Sequence, residues 1–149
     1  MPMPESIPSV AIAESCTGGL VMARIVATPG SGDWFKGGLV AYDRDVKSDL
    51  LGVKPGPVVT SAAAQQMARS VRELLGSDLG IATTGEAGPD PEEDVPVGTL
   101  FVGVADRNSV RVHHIVLSGD PDEIRASAAE LALLHLRRRA GLDVRLRAG

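Results

Sequence analysis

VAIAESCTGG, residues 10–19, decides the fold. Val10 to Ala13 read as a short buried strand, and the polar and glycine residues from Glu14 to Gly19 break it at once. An apolar helical stretch follows from Leu20 to Ala27 and ends at Pro29-Gly30-Ser31-Gly32. The unit is therefore strand, tight turn, helix. Further along the chain the period changes from two to about 3.6 and back several times, which is the pattern of an α/β protein.

Gly38 to Tyr42 read as a second strand, and Asp43 to Leu51 as a short helix stopped by Gly52 and Pro55. The next helix has Thr60 as N-cap, an apolar stripe of Ala64, Met67, Ala68, Val71, Leu74 and Leu75, and Gly76 just past its end. Leu79 to Thr83 form a strand, followed by a Gly, Pro and acid-rich loop from Gly85 to Pro96. Thr99 to Ala105 and Val110 to Leu117 read as a β-hairpin joined by Asp106-Arg107-Asn108-Ser109. In the last helix Asp120 is the N-cap, Pro121 sits at N1 and Glu123 at N3 completes a capping box. Its predicted buried stripe is Ile124, Ala128, Leu131 and Leu134; Arg137, Arg138 and Arg139 suit the negative end of its dipole, and Gly141 stops it. The expected architecture is a three-layer α/β/α domain over residues 1–149, with a mixed sheet that includes a hairpin and poorly ordered tails at 1–8 and 141–149.

Composition narrows the function. The chain has 149 residues, 44% of them hydrophobic and 3% aromatic, so its core is built from Ala, Val, Leu and Ile. Four aromatic rings do not make a stacking platform for single-stranded nucleic acid. The 15 basic against 19 acidic residues give a net charge of −4, which disfavours electrostatic binding to DNA. Arg145 and Arg147 then belong to a frayed tail rather than a nucleic-acid patch. Cys16 is the one cysteine, so no internal disulfide forms and a reducing compartment is expected. The opening residues carry no basic and apolar signal-peptide regions, and no apolar run reaches 18 residues. These features predict a cytoplasmic protein with no membrane segment. His113 and His114 lie on a strand without carboxylates or cysteines at ligand spacing, so neither a metal nor another cofactor is expected.

Four segments fall at strand ends, where α/β sheets hold their ligands. Glu14 to Gly19 is a strand-to-helix turn whose N–H groups suit an anion or oxyanion; it offers Ser15 and Cys16 as nucleophiles, or Ser15 and Thr17 as plain helix caps. Tyr42 and Lys47 lie five residues apart; a desolvated lysine serves as a general base, whereas a solvated one is only a surface charge. Thr83-Thr84-Gly85-Glu86-Ala87-Gly88-Pro89 is either an ordinary loop or one whose glycines admit a ligand beside the Thr84 hydroxyl. Arg125 is the residue of the fourth segment that capping does not explain.

In this order the segments are specific. AESCTGG (Ala13 to Gly19), GGLVAYDRDVK (Gly37 to Lys47), LLGV (Leu50 to Val53), TGEAGP (Thr84 to Pro89), PVGT (Pro96 to Thr99) and GDPDEIR (Gly119 to Arg125) resemble the CinA C-terminal domain family and its stand-alone nicotinamide-nucleotide amidases. The resemblance covers about residues 9 to 137. It implies an amidohydrolase that converts nicotinamide mononucleotide to nicotinic acid mononucleotide and ammonia. By motif position it makes Ser15 the nucleophile, Lys47 its base and Tyr42 the support of the pair. Thr17, Gly18 and Gly19 would supply oxyanion N–H groups, Thr84, Gly85 and Gly88 would line the substrate, and Arg125 would meet its phosphate.

The sequence departs from the family's pattern. Asp43 and Arg44 stand where Tyr-Ser-Asn-x-x-Lys has Ser and Asn, and Arg44 becomes a candidate cation for the ligand. Glu86 replaces the apolar residue of Thr-Gly-Ile-Ala-Gly, and Pro121 an arginine common after Gly-Asp. The family's long helix before the first strand has no counterpart, which predicts exposed apolar surface and a homo-oligomer. Three readings follow: the Ser15–Lys47 amidase, a catalytically reduced relative that binds a nucleotide or a partner protein, and a thiol hydrolase using Cys16.

Overall fold

The structure, a computed structural model, describes residues 6–142. Its elements in chain order are β1 (Val10–Glu14), α1 (Leu20–Val26), a 3₁₀ turn (Ser31–Asp33), β2 (Phe35–Val40), α2 (Arg44–Leu51), α3 (Ser61–Leu75), β3 (Leu79–Gly85), β4 (Thr99–Ala105), β5 (Val110–Val116) and α4 (Pro121–Ala140). The five strands form one mixed sheet in the order β2-β1-β3-β4-β5. β1 runs parallel to both β2 and β3, while β4 and β5 are antiparallel neighbours. This is the expected three-layer α/β/α architecture with its hairpin.

Alternation in the strands divides the core. Val10 and Ile12 of β1 join Ile81, Leu100 and Val102 against α1 and α4, whereas Ala11 and Ala13 face α3 with Ala82 and Ala105. The α3 face is thus paved with small residues, and α3 lies very close to it. A side chain at Gly80 would run into the Ala68 carbonyl, and one at Gly103 into the Ala64 carbonyl. Gly80 and Gly103, with the alanines around them, therefore serve helix–sheet packing rather than loops. Filling such a site overpacks the interface, typically costing ~1–3 kcal/mol.

The helix ends follow the sequence. The Thr60 and Asp120 side chains accept from Ala63 and Glu123 N–H groups, the capping box at Asp120 is complete, and Gly76 and Gly141 adopt the left-handed conformation. The expected tails fall partly outside the described residues, as do Arg145 and Arg147. Within them Leu142 is tied down, its N–H donating to the Arg137 carbonyl at 3.0 Å.

Three details differ from the sequence reading. β2 begins at Phe35 rather than Gly38, because Phe35 pairs with Val10 and the Gly37-Gly38 pair lies inside the strand where Ile12 and Met22 leave no room for a side chain at Gly38. Leu74, at the stripe's edge in the last turn of α3, is 56% exposed. In α4 the buried residues are Ile124, Ala128, Ala129, Ala132, Leu133 and Leu136, while Leu131 and Leu134 are half-buried. α4 packs on α1 as well as on the sheet, which widens and rotates its buried face. The strand histidines are both stacked, His113 on His135 at 3.6 Å between ring centroids and His114 on Phe101 at 4.4 Å. Among the described residues no helix is long and apolar enough to cross a membrane.

Candidate active site

β1 and β3 are adjacent, but the chain leaves β1 toward α1 on one face and reaches β3 from α3 on the other. Such a switch point opens a crevice beyond the strand ends. A cleft of about 230 Å³ lies there, lined by Ser15, Lys47, Thr84, Glu86, Arg44 and Arg125 among others. The structure therefore brings all four sequence segments to one place.

The turn after β1 is held by a residue that the sequence reading left without a role. Glu14 is fully buried, and its carboxylate accepts the N–H groups of Gly19 at 3.2 Å, Val21 at 3.0 Å and Met22 at 2.9 Å. A buried carboxylate is costly unless so paired, and here it satisfies the first N–H groups of α1 in return. Gly18 and Gly19, at φ 57° and 101°, make the left-handed turn that lets Glu14 reach them. The Gly18 N–H donates to the Ser15 carbonyl at 3.0 Å, so of the three candidate oxyanion donors Gly18 and Gly19 are engaged and Thr17 has no N–H partner among the described residues. Thr83 pins the turn from β3. Its hydroxyl accepts the Ser15 N–H at 3.4 Å and pairs with the Thr17 hydroxyl at 2.9 Å. Ser15 itself is buried and faces the cleft.

Lys47 is 2% exposed, on the inner face of α2. Burial pushes its ammonium below the ordinary lysine range, opposed by the carboxylates of Glu93 and Asp43 and reinforced by Arg44. Its Nζ donates to the Tyr42 carbonyl at 2.8 Å. The Tyr42 phenol, by contrast, is on a side chain that belongs to a 72% exposed residue at the cleft's rim. Asp43 is the N-cap of α2, accepting from Asp45 and Val46, so it does the structural work that a Ser or Asn would do there.

The opposite wall depends on Glu93, another residue the sequence reading missed. Its side chain is 7% exposed; it accepts the Val58 and Val59 N–H groups at 2.8 Å each and the Arg44 guanidinium at 3.2 Å. The Thr84 hydroxyl donates to the Val58 carbonyl at 2.8 Å, so the segment before α3, the loop after β3 and α2 are joined through polar bonds. Glu86 is buried, with Oε2 accepting the Glu92 N–H at 2.7 Å. Arg125 pairs with Asp122 at 2.6 Å and stays 40% exposed. Gly85 leaves room for Cys16, whose sulfur would lie 3.0 Å from any Cβ placed there. Gly88, at φ 80°, lines the cleft and packs where a Cβ would meet Val97 at 2.8 Å. Cys16 leans into the core beside α1 and α4, and burial pushes its thiol up to about 12. At neutral pH it is a protonated, poorly nucleophilic thiol.

Residues 5–140 match the model of the CinA C-terminal domain. The chain belongs to the CinA family. It is 44% identical over 135 residues to a CinA-like protein of Frankia casuarinae, covering 87% of this chain and 31% of that one. It is 46% identical over 140 residues to a CinA-like protein of Synechocystis, covering 88% and 34%. The chain thus spans about a third of the length of these relatives. The crystal structure of competence damage-inducible protein A from Klebsiella pneumoniae superposes with a TM-score of 0.85 at 28% identity, covering 91% of this chain and 88% of that one. A CinA superfamily protein from Enterobacter cloacae gives 0.86 at 27%, covering 91% and 84%.

Proposed function

We propose that this CinA-family domain hydrolyses the carboxamide of nicotinamide mononucleotide through Ser15 and Lys47. The observation that carries the reading is that a buried serine and a buried lysine line one cleft, with the lysine's proton affinity lowered by burial. Neutral Lys47 takes the Ser15 proton as Oγ attacks the carboxamide carbon. The Thr17 N–H supports the oxyanion. The C–N bond breaks as ammonia leaves with the proton returned from Lys47. Water, deprotonated by the same lysine, cleaves the acyl-serine to release the carboxylic acid and restore Ser15. Arg44 and Arg125, at the rim, meet the phosphate. Cytoplasmic location, a single domain, no cofactor and a homo-oligomer belong to this reading, the last checked by light scattering.

The test is ammonia release from nicotinamide mononucleotide by the purified protein. Release that persists in Cys16→Ala and disappears in Ser15→Ala is the expected result; turnover no higher than in Ser15→Ala overturns the reading. A second reading, nucleotide binding without turnover, is favoured by one observation: Arg44 and Arg125 are already paired with Glu93 and Asp122. Tight binding of the mononucleotide without ammonia release would select it.

A further inference from the structure

Glu86 has a property the amidase reading leaves unused. The residue is 7% exposed, lines the cleft and commits Oε2 to the Glu92 N–H, while Oε1 has no hydrogen-bond partner among the described residues. Every fully enclosed side-chain polar atom among the described residues is satisfied, so Oε1 keeps its access to the cleft. Asp90 and Glu92 line the same wall, and Arg44 and Arg125 line the cleft as well. An acidic wall beside rim arginines does not suit a simple anion. It suits a ligand that carries both signs.

Resting on the reading above, we propose that Glu86 is a specificity-determining residue, the counter-ion of a cationic pyridinium ring, so that the cleft selects a zwitterionic pyridinium mononucleotide over an uncharged-ring analogue of the same shape. The oxidised nicotinamide ring carries a positive charge at its ring nitrogen, and the phosphate carries the negative charge. Ser15 and Glu86 line the same cleft of about 230 Å³, so a ring whose carboxamide reaches Ser15 shares it with Glu86. A carboxylate in that cleft strengthens binding of the cationic ring and does nothing for a neutral one.

Dihydronicotinamide mononucleotide, with a neutral ring and the same phosphate, is the discriminating probe. Calorimetric titration of the full chain as Ser15→Ala, which removes turnover, is expected to give about tenfold tighter binding of the oxidised than of the reduced mononucleotide. Adding Glu86→Gln is expected to remove that preference by weakening only the oxidised ligand. Equal affinities in the Ser15→Ala protein overturn the proposal without any change at Glu86, as does an equal loss of both ligands in the double variant. Ammonia release by the unsubstituted chain with no ring-charge preference leaves the amidase standing and removes Glu86; a preference without ammonia release does the reverse. Failure of both ligands to bind overturns both.

Discussion

The ends of β1 and β3 form the two sides of one cleft, yet they are built oppositely. After β1 the chain turns tightly and spends nearly all its polar groups on itself: Glu14 takes three N–H groups of the turn and α1, and Thr17 and Ser15 are tied to Thr83. After β3 a longer loop carries the carboxylates Glu86, Asp90, Glu92 and Glu93 to the opposite wall. The comparison changes the meaning of the helix N-terminus. A bare one attracts anions. This one is already neutralised by Glu14, so binding a charged ligand falls to side chains, and the turn is left to position the Ser15 hydroxyl and the Thr17 N–H.

If the β1 turn holds the chemistry, its substitutions must outweigh those on the other wall. Ser15→Ala is expected to lower kcat for ammonia release by about 10⁴-fold or more with unchanged thermal stability, since it deletes only an oxygen facing the cleft. Lys47→Met comes next, at about 10²–10⁴-fold. The pH profile sharpens this. With Lys47 as the proposed base, kcat/KM is expected to rise with pH through its ionisation, and burial moves that limb below the ordinary lysine value of 10.5. A limb at the ordinary value would mean that Lys47 is solvated during turnover.

Glu14→Ala tests the structural half of the same turn. It strands three N–H groups in a buried site, for an expected loss of about 3 kcal/mol in chemical denaturation. Glu93→Gln, across the cleft, keeps the shape of the side chain and weakens its bonds to Val58, Val59 and Arg44, for about 1–2 kcal/mol. A Glu93 effect equal to that of Glu14 would make the two walls equivalent supports and end the comparison.

The elements whose signals are local were legible in the sequence. The capping box at Asp120, the Thr60 cap and the glycines ending α3 and α4 each depend on residues within four positions of one another, and all are present. The residues that hold the cleft together depend on distant partners. Glu93 bonds to N–H groups 34 and 35 residues away, and nothing in PEEDV marks one carboxylate among several. Glu14 was closer to legible. A carboxylate that continues an apolar strand into a glycine turn is buried by its neighbours, and burial obliges it to find donors. The start of β2 was hidden by Gly37-Gly38, which reads as a break but is a strand interior crowded by Met22.

Tyr42 carries the smallest expected effect and the finest distinction. The family pattern makes it a partner of the lysine, and its bond to Lys47 runs through the backbone carbonyl at 2.8 Å, which any residue supplies. Its side chain belongs to a residue 72% exposed at the rim. Tyr42→Phe keeps the carbonyl and the ring and removes the phenol, so kcat/KM is expected to stay within about threefold and the Lys47 limb of the pH profile to stay in place. A loss as large as that of Lys47→Met would show that the phenol turns inward when substrate binds. The phenol would then act beside Lys47 in the chemistry instead of marking the cleft's rim.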